Sequence, residues 1–118
     1  MYRKFEELGI TLGGASYGFF SGEAEFDVTG HPVAIEVEAA AVGQPDLRLD
    51  IAELVRERIG LRDRFGLGFL EDSDERVRAH VTKWMLFHAL ADSLVERYRE
   101  DIEDELSAAR ALRGTHAA

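Results

Sequence analysis

The residues best able to do chemistry lie in the second half of the chain, where His88 is followed by Asp92. On a helix these side chains would lie one turn apart, and the carboxylate could orient the imidazole as a general base. A base also needs a nucleophile to activate, yet the chain has no cysteine and its serines occupy no recognisable catalytic motif. His88 and Asp92 therefore define an alternative hypothesis of a small enzyme, and the leading prediction assigns no catalytic residue.

A metal site is the second chemistry to consider, because His80 and His88 lie on the same predicted helix. Helical zinc sites place two histidines one turn apart, as in His-x-x-x-His. His80 and His88 are two turns apart, about 12 Å along a helix axis, which is too far for one ion. The sequence therefore predicts no metal ligands and no cofactor. A metal site shared between two copies of the chain is left as an alternative.

Glycines near the N-terminus have the spacing of a phosphate-binding loop. Gly13 and Gly18 match that spacing, but Phe19 and Phe20 follow where the motif needs a lysine and a hydroxyl residue. We therefore interpret these glycines as turn residues beside core aromatics.

Acidic side chains form the fourth candidate site. Residues 23–28 and 33–41 alternate charged and apolar side chains around a turn at residues 29–32, which predicts a β-hairpin. If Val28 pairs with Val33, the glutamates of the two strands share one face. That acidic face consists of Glu23, Glu25, Asp27, Glu36 and Glu38, with Glu25 opposite Glu36 and Glu23 opposite Glu38. The apolar face consists of Ala24, Phe26, Val28, Val33, Ile35 and Val37.

The predicted acidic face needs an explanation, because like charges directly opposite each other on a sheet cost a few tenths of a kcal/mol. Three explanations are open: a solvated sheet face, a docking surface for a basic partner, and a divalent-cation site. The cation site is the least favoured, since glutamates on strands bring no loop carbonyl groups around an ion.

The element that would position the histidines is a helix from Asp74 to about Arg113. Its apolar positions advance by four and three residues, as on one side of a helix. These positions are Val77, Val81, Trp84, His88, Ala91, Val95, Tyr98 and Ile102. Unbroken, the helix would be about 60 Å long, whereas a domain of this size has a radius of gyration of about 13 to 14 Å. We therefore expect the helix to extend beyond its own core.

The apolar side chains on the part of the helix beyond the core must be buried against another surface. The favoured interpretation is packing on a second copy of the chain, with His88 as a buried polar residue that fixes the alignment. The self-association surface would consist of His88, Val95, Tyr98, Ile102 and Ala109. A break with the tail folding back and a free tail are the alternatives. The helix contains no proline or glycine, which disfavours a sharp break.

Shorter elements precede the long helix. Residues 2–8 predict two helical turns, and residues 47–49 predict a short strand. Asp50 and Glu53 form a capping box for a helix that ends at Gly60. The buried stripe of that helix would consist of Ile51, Leu54, Val55 and Ile59.

Residues 61–72, between the two helices, combine glycines with large apolar side chains. Gly66 and Gly68 make the backbone permissive. The apolar side chains either cover the core or form a loop that binds a partner; they are Phe65, Leu67, Phe69 and Leu70. Asp72 and Glu75 then form a second capping box, which starts the long helix.

The composition and the charge bound the class of protein. With 118 residues, 46% of them hydrophobic, we predict a single domain over residues 1–118, in which 99–118 project as a helical extension. No apolar run approaches the roughly 18 residues of a membrane span, and the absence of cysteine suits a reducing compartment, so the predicted location is cytoplasmic. A net charge of −9 argues against direct binding to nucleic acid or anionic membranes, so a charged protein partner should be basic.

Together these patterns predict an α+β fold. A three- to four-stranded antiparallel meander would pack on a long C-terminal helix through Trp84, Phe87, Ala91 and Leu94, with one short middle helix and a short N-terminal one. The predicted function is a non-catalytic, homodimeric, acidic protein-interaction module that docks a basic or apolar partner, as an adaptor, an assembly factor or a chaperone. The alternative is an inhibitor that imitates nucleic acid for a DNA- or RNA-binding protein.

Overall fold

The structure is a computed structural model that describes residues 1–39 and 42–117, with side chains as far as Leu112. The strands are β1 (Tyr2–Leu12), β2 (Ala15–Phe26), β3 (Pro32–Val37) and β4 (Leu47–Asp50). The helices are α1 (Ile51–Phe65), α2 (Glu75–Arg97) and α3 (Arg99–Ala117), with a 3-10 turn at Phe69–Glu71. Over the described residues, the strands form one antiparallel four-stranded sheet in the order β1-β2-β3-β4. The predicted α+β class is confirmed.

The N-terminal residues form strand β1, so the helix predicted over residues 2–8 is wrong. Strand β1 has a bulge between Phe5 and Leu8, which gives it one extra residue relative to β2. Glu7 lies in this bulge with φ at 51°. The bulge turns both Phe5 and Leu8 to the buried face, so their three-residue spacing resembles a helical turn in the sequence.

Strands β2 and β3 form the predicted hairpin, in a register that differs from the prediction by two residues. Glu23 lies opposite Glu36, and Ala24 lies opposite Ile35. A slip of two residues keeps the paired side chains on their predicted faces. The end of the predicted second strand, residues 40–41, lies outside the described residues.

The turn of this hairpin is longer than predicted. The Asp27 N–H donates to the His31 carbonyl oxygen over 2.9 Å, and the Gly30 N–H donates to the Asp27 carbonyl oxygen over 3.1 Å. Val28 therefore lies in the turn, 77% exposed, and does not pair with Val33 on the apolar face as predicted.

Helix α2 covers one face of the sheet and forms the main core with it. Phe87, Ala91 and Leu94 are buried there as predicted, and Trp84 is half-buried. The core consists of Phe5, Leu8, Ile10, Ala24, Phe26, Ile35, Val37, Leu49, Leu54, Phe87, Leu90, Ala91, Leu94 and Ile102.

The buried stripe of α2 differs from the predicted one at a histidine. His80 is fully buried and His88 is exposed, whereas the prediction placed His88 inward. Both stripes begin at Val77 and advance by three and four residues, so spacing alone does not choose between them. The observed stripe continues through Phe87 and Leu94, which bury more apolar surface than the residues that follow them would.

Helix α1 begins where predicted and ends later. The Asp50 carboxylate accepts hydrogen bonds from the N–H groups of Ala52 and Glu53, over 2.9 and 3.2 Å, and so caps the helix. The predicted end at Gly60 is wrong, because the helix continues to Gly66, where φ is 89°. A single glycine inside a helix costs only about 1 kcal/mol, so flanking residues can carry the helix through it.

Only a narrow side of α1 is buried. Leu54 and Leu61 are buried, whereas Val55 and Ile59 are 41% and 47% exposed, so half of the predicted stripe is wrong. Leu61 packs with Phe69 and with α2 in a second, smaller core. The extra turns beyond residue 60 therefore supply a contact that the shorter predicted helix lacked.

The start of α2 differs from the predicted capping box. The Asp74 carboxylate accepts from the Arg76 N–H over 2.9 Å and caps the helix. Asp72 instead accepts from the Asp74 N–H over 2.8 Å, so it orders the residues before the helix.

The predicted long helix is interrupted at Tyr98, between α2 and α3. Tyr98 has φ −107° and ψ 19°. Two side chains at the end of α2 bind carbonyl oxygens of β1: Arg97 donates to Glu6 over 2.7 Å, and the Tyr98 hydroxyl donates to Lys4 over 2.9 Å. These anchors hold the end of α2 against the sheet edge. The interruption occurs without proline or glycine, contrary to the unbroken helix predicted.

Helix α3 packs against the turn between β2 and β3. Ile102 is buried there, and a Cβ atom added at Gly30 would lie 2.6 Å from Ile102. The guanidinium of Arg3 donates to Glu105 over 2.6 Å and ties α3 to β1. The radius of gyration is 17.1 Å, above the roughly 13 to 14 Å of a compact chain of this length. The last residue of the predicted extension, Ala118, lies outside the described part of the chain.

Candidate partner-docking surfaces

Charged side chains cross the outer face of the sheet in a row. Lys4 lies opposite Glu23, Glu23 opposite Glu36, and Glu36 opposite Arg48. The row therefore has a like-charged pair at its centre and a cation on each outer strand. The helices pack on the opposite face of the sheet, and the side chains of Glu23 and Glu36 are exposed.

The register slip removes one of the two predicted like-charged pairs. Glu25 lies opposite Ala34 rather than opposite a glutamate, so Glu23 alone keeps a glutamate opposite it. Among the described side chains, no ion pair joins Glu23 to Lys4 or Glu36 to Arg48, and Arg48 instead pairs with Asp50 over 3.6 Å. No described side chain therefore forms an ion pair with the central carboxylates of Glu23 and Glu36.

More carboxylates surround a depression at one end of this face. The depression has a volume of about 360 Å³ and is lined by Lys4, Glu6, Gly22, Glu23, Glu36, Glu38 and Asp46. Asp46 is brought there by the Ala39 N–H, which donates to its carboxylate over 3.0 Å. Glu6 and Asp46 were not among the predicted acidic residues, because the prediction placed Glu6 on a helix and Asp46 in a turn. We call Glu6, Glu23, Glu25, Glu36, Glu38 and Asp46 the outer-face carboxylates.

Asp27, which was predicted to belong to the acidic face, organises the hairpin turn instead. Its carboxylate accepts from the Thr29 hydroxyl over 2.6 Å, from the Thr29 N–H over 2.8 Å and from the His31 N–H over 3.0 Å. The hydrogen bond from the Thr29 hydroxyl is the main cause that lowers the pKa of Asp27 below its ordinary value of 3.8, and the backbone N–H groups add to it.

The apolar loop divides into a buried and an exposed half. Phe69 is buried in the smaller core and Phe65 is half-buried beside it. Leu67 is 89% exposed and Leu70 is 49% exposed. Two of the four side chains therefore lie in or beside the smaller core, and partner binding by the two exposed ones stays a prediction.

The residues predicted for self-association do not form one surface. His88 is exposed near the middle of α2, and Val95 is half-buried toward the end of the helix. Tyr98 binds the Lys4 carbonyl oxygen, and Ile102 is buried against the chain's own hairpin turn. Ala109 lines a cleft of about 390 Å³ between α3 and that turn.

A polar cluster between α1 and α2 centres on the buried His80. The Arg58 Nε–H donates to His80 Nε2 over 3.2 Å, and His80 Nδ1 lies 2.7 Å from Glu57 Oε1. Since Nε2 accepts a hydrogen bond, the ring proton belongs on Nδ1, where it donates to Glu57. Lys83 lies 3.4 Å from the other oxygen of Glu57, and the Arg58 guanidinium stacks 3.8 Å above the Trp84 ring.

This cluster was missed by the sequence reasoning, which considered His80 only as a metal ligand. The available signal was the charged pair Glu57–Arg58, which follows the buried Leu54 by three and four residues and so lies on the same side of α1. Both ring nitrogens of His80 are occupied, so its imidazole serves to fix α1 on α2.

His88 and Asp92 lie on an open surface together with Trp84 and Leu12. The hydrogen bonds of the described residues include none between His88 and Asp92. Within the same residues, no group of three or more histidine, aspartate or glutamate side chains is placed to hold a metal ion. None of the described helices is both long enough and apolar enough to span a membrane.

Comparisons of the chain with models of protein families, with curated proteins and with solved structures found no match. Its function is therefore inferred from its own residues.

Proposed function

We propose that the chain is a non-catalytic protein-interaction module that docks a basic partner protein on the outer face of its sheet. The observation that carries this proposal is the excess of carboxylates over cations on a face that no described helix covers. The outer-face carboxylates are Glu6, Glu23, Glu25, Glu36, Glu38 and Asp46, against the cations Lys4 and Arg48.

These carboxylates are close enough together for their negative charges to attract a cationic partner as a group. Neighbouring outward side chains on one strand are about 6.6 Å apart, and side chains on adjacent strands are about 5 Å apart. Both distances are shorter than the screening length of about 8 Å at physiological ionic strength. The carboxylates therefore act as one negative surface, and a partner with several lysines or arginines gains more from it than a single cation does.

The stability of the fold gives no separate reason for this arrangement. Glu23 opposite Glu36 is a repulsive pair in the middle of the sheet, where a lysine or threonine at one position would be locally more favourable. A basic partner would relieve that repulsion, so binding would remove the local cost in stability.

Affinity capture from a lysate of the source cells tests the proposal with two variants of equal net charge. The first changes Glu23, Glu25, Glu36 and Glu38 to glutamine. The control carries Asp63→Asn, Glu71→Gln, Glu96→Gln and Glu103→Gln, at exposed positions that form no ion pair among the described side chains. The wild type and the control should capture the same basic proteins, and the outer-face variant should lose them. Identical partners on all three proteins would contradict the proposal.

The alternative of nucleic-acid imitation uses the same carboxylates and differs in the partner. An imitated ligand shares its site with DNA or RNA, so added duplex should displace the captured protein. A partner that stays bound in excess duplex supports the interaction module, and a displaced one supports the inhibitor.

We also propose that the module is a homodimer, with the second copy at the cleft between α3 and the hairpin turn. Val28 is 77% exposed beside this cleft, and Leu106 and Ala109 line it on α3. Sedimentation velocity should show a dimer that dissociates on dilution and is lost in Leu106→Glu. A wild type that stays monomeric at high concentration would contradict this part.

A further inference from the structure

The hydrogen bonds of the buried His80 depend on the charge of its ring. Its Nε2 accepts from the Arg58 Nε–H over 3.2 Å, and its Nδ1–H donates to Glu57 over 2.7 Å. Only the uncharged imidazole can make this pair of bonds, because a protonated ring carries a hydrogen on both nitrogens. The observed geometry is therefore that of the uncharged ring.

The charged groups that face His80 come from both helices. Glu57 and Arg58 of α1 bind the two ring nitrogens, and the Lys83 Nζ of α2 lies 3.4 Å from the second oxygen of Glu57. Among the described side chains, no further charged group forms a hydrogen bond or an ion pair with His80, Glu57 or Arg58. Protonation of His80 would therefore place three cations around one carboxylate.

Uncharged side chains make the next contacts along α2. One helical turn before His80, Val77 packs with Leu61 of α1 and with Phe69 of the 3-10 turn. One turn after it, the Trp84 ring lies 5.8 Å from the His80 ring, measured between centroids. None of these side chains can balance a new positive charge on the imidazole.

Arg58 also covers one face of Trp84. Its guanidinium carbon lies 3.8 Å from the centroid of the indole ring, so the cation stacks on that face. The Nε atom of the same guanidinium is bound to His80, so a single side chain connects the buried imidazole to the half-buried indole. Any change that moves Arg58 away from His80 therefore also alters its contact with Trp84.

We infer that protonation of His80 releases Arg58 and uncovers the Trp84 ring, so that this contact between α1 and α2 responds to acid. On protonation, Nε2 changes from an acceptor to a donor, and the Arg58 Nε–H loses its partner. Two positive charges then lie at hydrogen-bonding distance in a site shielded from water. Their repulsion exceeds the attraction of a guanidinium for one indole face. Glu57 keeps its bond to Nδ1, so the imidazole stays in place while Arg58 turns toward solvent.

Two histidines can change charge in the relevant range, from about pH 5 to about pH 8, and a test must separate them. The exposed His88 has its ring 4.9 Å from the Trp84 ring, whereas His80 is linked to Trp84 through Arg58. The inference does not rest on the proposed docking surface, because α1 and α2 pack on the opposite face of the sheet.

Quenching of tryptophan fluorescence by acrylamide is the first test, because Trp84 is the single tryptophan of the chain. The protein carries His88→Gln, which removes the exposed imidazole beside the indole. The quenching constant should rise by up to about twofold between about pH 7.5 and about pH 5, since a second face of the ring becomes accessible. A quenching constant independent of pH would overturn the inference. A simultaneous loss of the helical circular dichroism would also overturn it, because unfolding would then expose the ring.

Two further variants, each combined with His88→Gln, assign the response. His80→Gln can accept from Arg58 and donate to Glu57 through its amide, and it does not change charge, so quenching should stay low at both pH values. Arg58→Ala removes the guanidinium, so quenching should be high at both. A pH response that persists in either variant would overturn the inference.

NMR spectra of the wild type provide a test that does not depend on the folding of His80→Gln. The nitrogen shifts of the His80 ring report its protonation, and the Nε–H signal of Arg58 reports its hydrogen bond. As the pH falls, the Arg58 signal should move toward the position of the exposed arginines over the same range in which His80 is protonated. An Arg58 signal that does not follow His80, or a His80 ring that stays uncharged at about pH 5, would overturn the inference.

Discussion

The two faces of the sheet come from the same strands and have opposite surroundings. On β3, Ile35 and Val37 are buried under α2, whereas Glu36 between them is exposed on the uncovered face. Covering apolar side chains stabilises the fold by about 25 cal/mol for each Å² removed from water, and the exposed carboxylates contribute nothing of that kind. Folding therefore depends on the side chains of one face and places little constraint on those of the other face.

The largest expected effect comes from adjacent residues of β3. Ile35→Ala should lower the free energy of unfolding by about 2 to 4 kcal/mol, because it leaves a cavity under α2. Glu36→Gln should change it by less than about 0.5 kcal/mol, since an exposed residue is altered and one repulsion is removed. Urea unfolding followed by circular dichroism measures both. Similar losses in the two variants would mean that the outer face is also structural.

The same contrast can be tested at two glycines with positive φ. Gly30 has φ at 84° under α3, and Gly13 has φ at 58° with nothing within 4 Å of an added Cβ atom. Gly13→Ala should cost about 1 kcal/mol from the backbone alone. Gly30→Ala should cost about 1 to 2 kcal/mol more, because its methyl group would meet Ile102. Thermal denaturation measures both variants. Equal stabilities would contradict the close contact between α3 and Gly30.

Two tyrosines differ in whether their hydroxyl groups are bound. Tyr98→Phe removes the hydroxyl that binds the Lys4 carbonyl oxygen of β1, and it should cost about 0.5 to 1.5 kcal/mol. Tyr17→Phe should leave the stability unchanged, because the Tyr17 hydroxyl is bound to none of the described residues. Chemical denaturation of both variants checks this. A Tyr98→Phe variant as stable as the wild type would contradict the role of Tyr98 as an anchor at the interruption of the helix.

The smallest expected effect concerns pH. The pKa of Asp27 is lowered in the folded chain, first of all by the Thr29 hydroxyl, so Asp27 stabilises the fold above its ordinary pKa of 3.8. That contribution is lost as the pH falls through the lower folded pKa. Asp27→Asn should therefore lose less stability than the wild type between about pH 5 and about pH 2, by about 0.5 kcal/mol or less for so exposed a group. The free energy of unfolding of both proteins is measured as the pH is lowered. Equal losses in the wild type and in Asp27→Asn would contradict this role.

Local patterns predicted the parts of the fold that depend on neighbours in sequence. The alternation around the hairpin, the cap at Asp50 and the strand before it are such cases, because each rests on residues two or three positions apart. The burial of Ala24, Phe26 and Ile35 follows from the same alternation.

The parts that could not be predicted depend on contacts between distant residues. The bulge at Glu7 depends on Arg97, which binds the Glu6 and Glu7 carbonyl oxygens from the end of α2. The choice of His80 over His88 depends on Glu57 and Arg58 of another helix. Among the outer-face carboxylates, the sequence predicted the glutamates of the hairpin, whereas Glu6 and Asp46 required the arrangement of all four strands.

A titration with decalysine compares the outer face with the most acidic stretch of the sequence, residues 99–105. NMR spectra recorded with increasing decalysine should show the amides of Glu23, Glu36 and Glu38 responding at lower peptide concentrations than those of Glu100, Glu103 and Asp104. The carboxylates of the sheet converge on one depression, whereas those of α3 spread around a helix. A first response from α3, or equal responses from both regions, would contradict the proposal that the outer face is the docking surface.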